Sequence, residues 1–411
     1  IRADQAARIA QIERETSARI ATIEASLDVI EGKPAGTSAA QAQTAVAATS
    51  AQPVQVAAAA PTTAPVSAPL SDSRLDISGD VRLRYEENFS DRDARDRGRG
   101  VLRARLRASY QALDWLTVGG EISTGDPDDP NSTDISLSNF DDDLSFSLSQ
   151  AYARATFGNL QLWGGKFGNP FVKTELVWDG DVNPQGASAI YKMPLGTGIE
   201  AKATGLYFLI DEAVSGPNSD MVGGQLSLAA QLAPTLKAEL AAAYYDYTLH
   251  SVGGADSGDF RSNLIGPAGR YLSDFNLFDA IAALTWSGLG ERWPVRIAGD
   301  YVHNSGAATS ADTGYALDLQ VGRGSKLHDW KFGYGYSQAE TDAVFAAFSQ
   351  DNTNIATNYR QHALSIDYVA WNNVILNATF YHYRPLHAID AGPNDPKDWL
   401  NRLRLNFLVN F

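Results

Sequence analysis

The chain has no cysteine, so disulfide scaffolds, thiol nucleophiles and cysteine metal centres are excluded together. No apolar run approaches the ~18 residues that a membrane-spanning helix needs, which excludes a helical membrane protein. Basic residues are in deficit, 33 Lys and Arg against 48 Asp and Glu, and no basic domain stands out, so no nucleic-acid partner is expected. No secretory leader is visible, and the chain begins at Ile1 without a methionine, which reads as a mature, processed sequence. Glycine (35) and tyrosine (17) are plentiful, a composition suited to strands joined by many turns.

The organising stretch is the last one, residues 399–411, W-L-N-R-L-R-L-N-F-L-V-N-F. Leu403, Leu405, Phe407, Val409 and Phe411 hold alternate positions, with Arg402, Arg404, Asn406 and Asn410 between them. A period of two means a strand with one apolar and one wet face. The same pattern sets Leu75, Ile77, Val81, Leu83 and Tyr85 against Asp76, Asp80, Arg82, Arg84 and Glu86. It then sets Leu102, Ala104, Leu106, Ala108 and Tyr110 against Arg103, Arg105 and Arg107. A strand charged at every second position needs water on that side, the apolar-out, polar-in signature of a water-filled transmembrane barrel.

Continued along the chain, the pattern predicts an all-β transmembrane barrel of sixteen antiparallel strands. Their spans are 74–86, 100–112, 115–124, 144–157, 160–168, 186–193, 198–211, 221–232, 235–247, 275–286, 294–304, 313–322, 329–338, 359–370, 374–384 and 399–411. The pattern resembles that of bacterial outer-membrane β-barrels, and in that family short connections, as at 112–114, 158–159, 194–197, 233–234 and 371–373, are expected on the periplasmic side. Long ones, at 87–99, 125–143, 169–185, 248–274, 339–358 and 385–398, are expected outside. Trp115, Trp286, Trp293, Trp330 and Trp371 all fall beside short turns, where an aromatic girdle meets lipid headgroups. The competing reading, tryptophans plugging a soluble barrel, leaves the arginine-bearing faces without solvent.

Three regions follow: a helix at 1–32, a linker at 33–72 and the barrel at 73–411. In the first, Ile9, Ile12, Ile20, Ile23, Leu27 and Ile30 form a stripe at helical spacing with nothing in its own chain to bury against. It predicts a periplasmic coiled coil, and Ile-rich core positions lean towards three strands, hence a homotrimer. A lone helix lying on another protein is the alternative. The linker, rich in Ala, Thr and Pro and nearly uncharged, cannot form a core and reads as a tether of roughly 35 Å.

The stretch 150–191, Q-A-Y-A-R-A-T-F-G-N-L-Q-L-W-G-G-K-F-G-N-P-F-V-K-T-E-L-V-W-D-G-D-V-N-P-Q-G-A-S-A-I-Y, resembles the fourth and fifth strands and third loop of sixteen-stranded bacterial porins, especially the Putative porin family. The resemblance is close over these forty or so residues and architectural over 73–411. It implies an outer-membrane porin whose last strand, ending in Phe, pairs with the first, and whose third loop folds into the lumen. On that loop Glu175, Asp179 and Asp181 are expected to reach the channel, opposite a pore-lining basic wall of Arg82, Arg84, Arg103, Arg105, Arg107, Arg402 and Arg404. Two alternatives stay open: Asp179 and Asp181 capping turns within the loop, and the arginines pairing with Asp76, Asp80 and Glu86 as a structural ladder. Porins with a periplasmic coiled coil usually carry a cell-wall-binding domain ahead of it. None is recognisable in these residues, so a cell-wall or periplasmic partner for the stalk is left unspecified.

Other chemistry is weak. His382 and His387 near Arg384 come nearest to a catalytic group, without an evident Ser partner, so no enzyme activity and no cofactor are expected. Asp126, Asp128 and Asp129, with Asp134, Asp141, Asp142 and Asp143, make an acidic loop that is a weak Ca²⁺ candidate against a plain solvated loop. Gly119-Gly120 and Gly223-Gly224 do not lead into helices, so they are strand features and not phosphate loops. The expected function is a water-filled channel for passive diffusion of ions and small polar solutes. The alternatives are a plugged structural anchor to the cell envelope and a channel specific for a sugar or organic anion.

Overall fold

The computed structural model describes residues 74–90, 96–137, 144–250, 262–266, 269–387 and 398–411. The expected helix at 1–32, the linker at 33–72, and Asp141, Asp142 and Asp143 lie outside the described residues. The strands are β1 (Leu75–Ser90), β2 (Arg97–Leu113), β3 (Leu116–Thr124), β4 (Ile135–Ser136), β5 (Phe146–Phe157), β6 (Leu160–Lys166), β7 (Gln185–Gly196), β8 (Ile199–Asp211) and β9 (Ser219–Ala233). They continue as β10 (Leu236–Thr248), β11 (Asn276–Trp286), β12 (Val295–Asn304), β13 (Thr313–Val321), β14 (Trp330–Ala339), β15 (Tyr359–Trp371), β16 (Val374–Pro385) and β17 (Leu400–Asn410). Of these seventeen, β4 is a two-residue piece that pairs only with Val101 and Leu102 of β2, which leaves sixteen in the wall. Every expected span meets one of them; the largest end error is at β1, which runs on past residue 86 to Ser90.

The wall closes because β1 pairs antiparallel with both β2 and β17. In lipid no water is available to satisfy a free strand edge, so closure is the only way for a sheet to span. Along β10 the inward Ala241, Ala243, Tyr245 and Tyr247 are buried while Leu240, Ala242 and Tyr244 face out. The outward residues are apolar around the barrel, as at Leu226, Ile297, Leu317 and Leu364. A register shift at Glu121/Ile122 re-phases β5 against β3, so that Phe146 and Leu148 face outward beyond the bulge. Trp115, Trp286, Trp330 and Trp371 are exposed and Trp293 half-buried, at the short-turn end.

The interior holds a core. Loop 167–184 brings Phe167, Phe171, Leu176, Val177, Trp178 and Val182 against inward side chains of the wall, among them Leu206, Phe208, Met221 and Tyr245. Loop 340–358, a second long connection at the same end, also packs Val344, Phe345, Phe348 and Ile355 into this cluster. The physical reason is in its sequence, D-A-V-F-A-A-F over 342–348, whose apolar residues gain more by burial than in water.

Candidate functional site

The inward faces of β17, β1 and β2 bring Arg402 and Arg404, Arg82 and Arg84, and Arg103, Arg105 and Arg107 to one wall, as the strand order required. Register places a carboxylate among them at intervals: Glu86 stands opposite Arg404 on one side and Arg99 on the other, and Asp80 opposite Arg105. Glu86 is 2.7 Å from Arg404 and 2.6 Å from Arg99. Asp80 takes Arg103 at 2.9 Å, Arg105 at 2.8 Å and Arg107 at 3.3 Å. Arg107 also pairs with Glu121 of β3. Of the expected ladder acids Asp80 and Glu86 take part, while Asp76 is exposed at the end of its strand.

Five of the seven arginines of the expected pore-lining wall are buried. Arg82, Arg84, Arg103, Arg402 and Arg404 are buried; Arg107 is the most open, its side chain 38% exposed. Three loops cover the rest. Loop 125–134 sets Asp134 against Arg82 and, at 2.7 Å, Arg84. Burial works to raise the Asp134 carboxyl, and the two guanidinium groups overcome it and hold it below the usual carboxylate range. Loop 340–358 receives Arg402 on the Asn352 carbonyl at 2.8 Å and on the Asn354 side chain. Loop 167–184 sets Asp181 on Arg105 at 2.9 Å, with Thr133 donating to the same carboxylate at 2.8 Å.

Glu175, Asp179 and Asp181 therefore do not stand together across a gap. Asp181 reaches the arginine wall. Asp179 caps the loop instead, accepting the Asp181 N–H at 2.8 Å, and is buried. Its carboxyl is hydrogen-bonded to that of Glu175. Burial raises the Glu175 carboxyl to about 8, against the pull of that hydrogen bond and of Lys173. Asp179 is pushed up by burial and then by Glu175, and Lys173 is pushed down by burial.

Sequence reasoning missed the clamps on the far wall. The Gln225 amide of β9 bonds both sides of Val172, donating to its carbonyl at 2.8 Å and accepting its N–H at 2.7 Å. Thr174 donates to Asp300 of β12, and on the near side Gln150 of β5 donates to Asn183 at 3.0 Å. Nothing in local sequence distinguishes Gln225 from other inward polar residues of a barrel. Two cavities lie on either side of the loop layer. The outer, about 490 Å³, is bordered by Lys166, Asp181 and Phe348, and the inner, about 540 Å³, by Trp178, Lys192 and Lys202. Trp178 and Phe348 stack between them at 5.7 Å.

Asp126, Asp128 and Asp129 form a turn in which the Asp126 carboxylate accepts the Asp128 N–H at 3.0 Å. Among the described residues no group of three or more His, Asp or Glu is placed to hold a metal ion. His382 and Arg384 stand on the outward face of β16, away from the lumen, and His387 lies 3.7 Å from Glu340.

Residues 91–263 match the family model described as Putative porin. The chain matches no curated protein. Among solved structures it is similar to OprB of Pseudomonas putida at high pH, with 12% identity over 82% of this chain and 94% of that one, at a TM-score of 0.57. It is also similar to a loop L8 deletion mutant of OmpT, an outer membrane protein of Vibrio cholerae, with 13% identity over 82% and 99% of the two chains, at a TM-score of 0.48. A triple mutant of the Rhodopseudomonas blastica porin is similar at 10% identity over 82% and 100%, at a TM-score of 0.45. With its closed wall of sixteen antiparallel strands and its apolar outer belt, the chain has the fold of a transmembrane β-barrel, and residues 91–263 of it are similar to the Putative porin family.

Proposed function

We propose that the barrel is an outer-membrane channel through which ions and small polar solutes diffuse passively, narrowed by loop 167–184. The observation that carries this reading is the 2.9 Å contact between Asp181 on that loop and Arg105 on the wall. The loop is held on β9 by Gln225 and on β2 by Arg105, so it spans the lumen between distant strands. Asp181 is buried on Arg105, so a passing solute meets the open Arg107 with the carboxylates of Asp80 and Glu121 behind it, a field across the lumen. Such a transverse field acts over ~8 Å at physiological salt and favours hydrated polar solutes over apolar ones. Reconstitution in planar bilayers tests this: stepwise conductance is expected, and barrels that never open would sink it.

That failure would favour a plugged anchor, a reading supported by the aromatic packing of Trp178 on Phe348. Preference for an organic anion is the third reading, supported by Lys192 standing directly opposite Lys202 in the inner cavity. Saturable block of current by one anion separates it from free diffusion. The isoleucine stripe in the sequence supports a homotrimer with residues 1–32 bundled in the periplasm, where they would meet a cell-wall or periplasmic partner. Cross-linking between stalks should fall when Ile20 and Ile23 are both changed to Asp, and unchanged cross-linking removes the bundle.

A further inference from the structure

β15 and β16 present their even-numbered residues to the outside. From the long-loop end, β15 shows Arg360, His362, Leu364 and Ile366, and β16 shows Arg384, His382, Phe380 and Ala378. Register sets them directly opposite in that order: arginine on arginine, histidine on histidine, then apolar on apolar. Like charges facing each other across strands repel and destabilise a sheet unless an anion lies between them. Each of the two arginines has its Nε enclosed without a hydrogen-bond acceptor, and among the described residues neither has a carboxylate in ion-pair reach.

The surroundings hold these groups in place. Arg384 lies over the Trp399 ring at 4.7 Å, and His382 stacks on the same ring at 4.0 Å. The His382 Nδ1 is fixed by the Asn401 side chain at 2.8 Å and that of His362 by the Tyr334 hydroxyl at 2.9 Å. Each ring keeps Nε2 for another partner. Immediately below, Leu364 is 55% exposed and belongs to the apolar belt. Guanidinium pairs grip phosphate through parallel N–H donors, and two on neighbouring strands present such forks side by side. A soluble phosphate would satisfy the arginines but not the apolar strip beneath them; a phosphorylated lipid satisfies both.

We propose that Arg360 and Arg384 form a site for a phosphorylated lipid headgroup, held from the membrane side with its chains on the Leu364–Phe380 strip. The proposal rests on reading the barrel as membrane-spanning with its long loops at the outer surface. To test it, the full chain is placed in phosphatidylcholine nanodiscs doped with diphosphoryl lipid A and released into detergent. The lipid A it retains is then counted by native mass spectrometry. Retention is expected to fall about tenfold in the Arg360→Gln, Arg384→Gln double variant, and by less in Arg384→Gln alone. Excess inorganic phosphate should leave the lipid in place. Equal retention by both variants overturns the site. Displacement by phosphate alone assigns it to a soluble anion, and a changed subunit count with unchanged lipid assigns it to a protein contact. Either result overturns the lipid assignment. Conductance is measured separately: a silent barrel that still retains lipid A fails only the channel reading, and a conducting barrel with variant-insensitive retention fails only this one.

Discussion

Gly79 and Phe411 exchange two backbone hydrogen bonds, the Gly79 N–H to the Phe411 carbonyl at 2.8 Å and the Phe411 N–H to the Gly79 carbonyl at 3.0 Å. The Phe411 ring lies over the glycine, 2.5 Å from where a Cβ would stand. The last pairing of the seam thus depends on a residue with no side chain. Gly79→Val should push the ring aside and weaken the seam by about 1–3 kcal/mol, the usual cost of overpacking. The folded band on unheated gels should then convert to the unfolded one at a lower temperature. An unchanged conversion temperature would show that the ring moves away freely.

Gln225 holds loop 167–184 by satisfying two backbone groups of one residue. Gln225→Ala leaves the part-buried N–H and carbonyl of Val172 without these partners, at up to about 1–3 kcal/mol for each group that water does not reach. The loop should then become sensitive to added protease while the strands stay protected, and single-channel current should grow noisier.

The Glu175 carboxyl, raised from 4.5 to about 8, binds a proton in the docked loop over a pH window where the unfolded chain has lost it. Stability therefore declines as pH rises through that window and is complete only below its lower end. Protease sensitivity of loop 167–184 should increase between about pH 4.5 and about pH 8, and Glu175→Gln should make the rise smaller, leaving the share that the neighbouring Asp179 carries. A wild-type profile that rises towards acid would reverse the assignment.

Charge selectivity is best tested at Arg107, whose side chain is 38% exposed and touches Glu121 and Asp80. Arg107→Gln should move the reversal potential in a salt gradient towards cation preference. Adding Arg103→Gln and Arg105→Gln confounds the reading, because Asp80 is buried and would lose all three counter-charges. Stripping partners from a buried charge costs about 3–5 kcal/mol, enough to disturb the wall itself. An unchanged reversal potential in the single variant would take Arg107 off the conduction path.

The strands were legible because each wall residue obeys one local rule, lipid on one side and water or polar groups on the other. Leu83 and Tyr85 face out and Arg82 and Arg84 face in for that reason alone. The arginine wall followed from strand order and the need to close. Its covering did not, since Asp134 lies 52 residues from Arg82 and no periodicity links a loop carboxylate to its partner. Loop 340–358 does carry a signal, in Val344, Phe345 and Phe348, but length places a long connection at the outer end without saying whether it turns inward. The clamp at Gln225 had no signal at all, because an inward glutamine in a polar lumen is unremarkable until a loop lands on it.

Glu86 is gripped by Arg99 of β2 and Arg404 of β17, and Arg404 in turn donates to the Asn352 side chain at 3.3 Å. The same few atoms therefore belong to the zipper between the first and last strands of the wall and to the seat of an inward loop. Loop and seam have no independent melting behaviour under that arrangement. A probe on loop 340–358 and a probe on β17 should report one unfolding transition at one denaturant concentration, and removing Arg404 should shift both together.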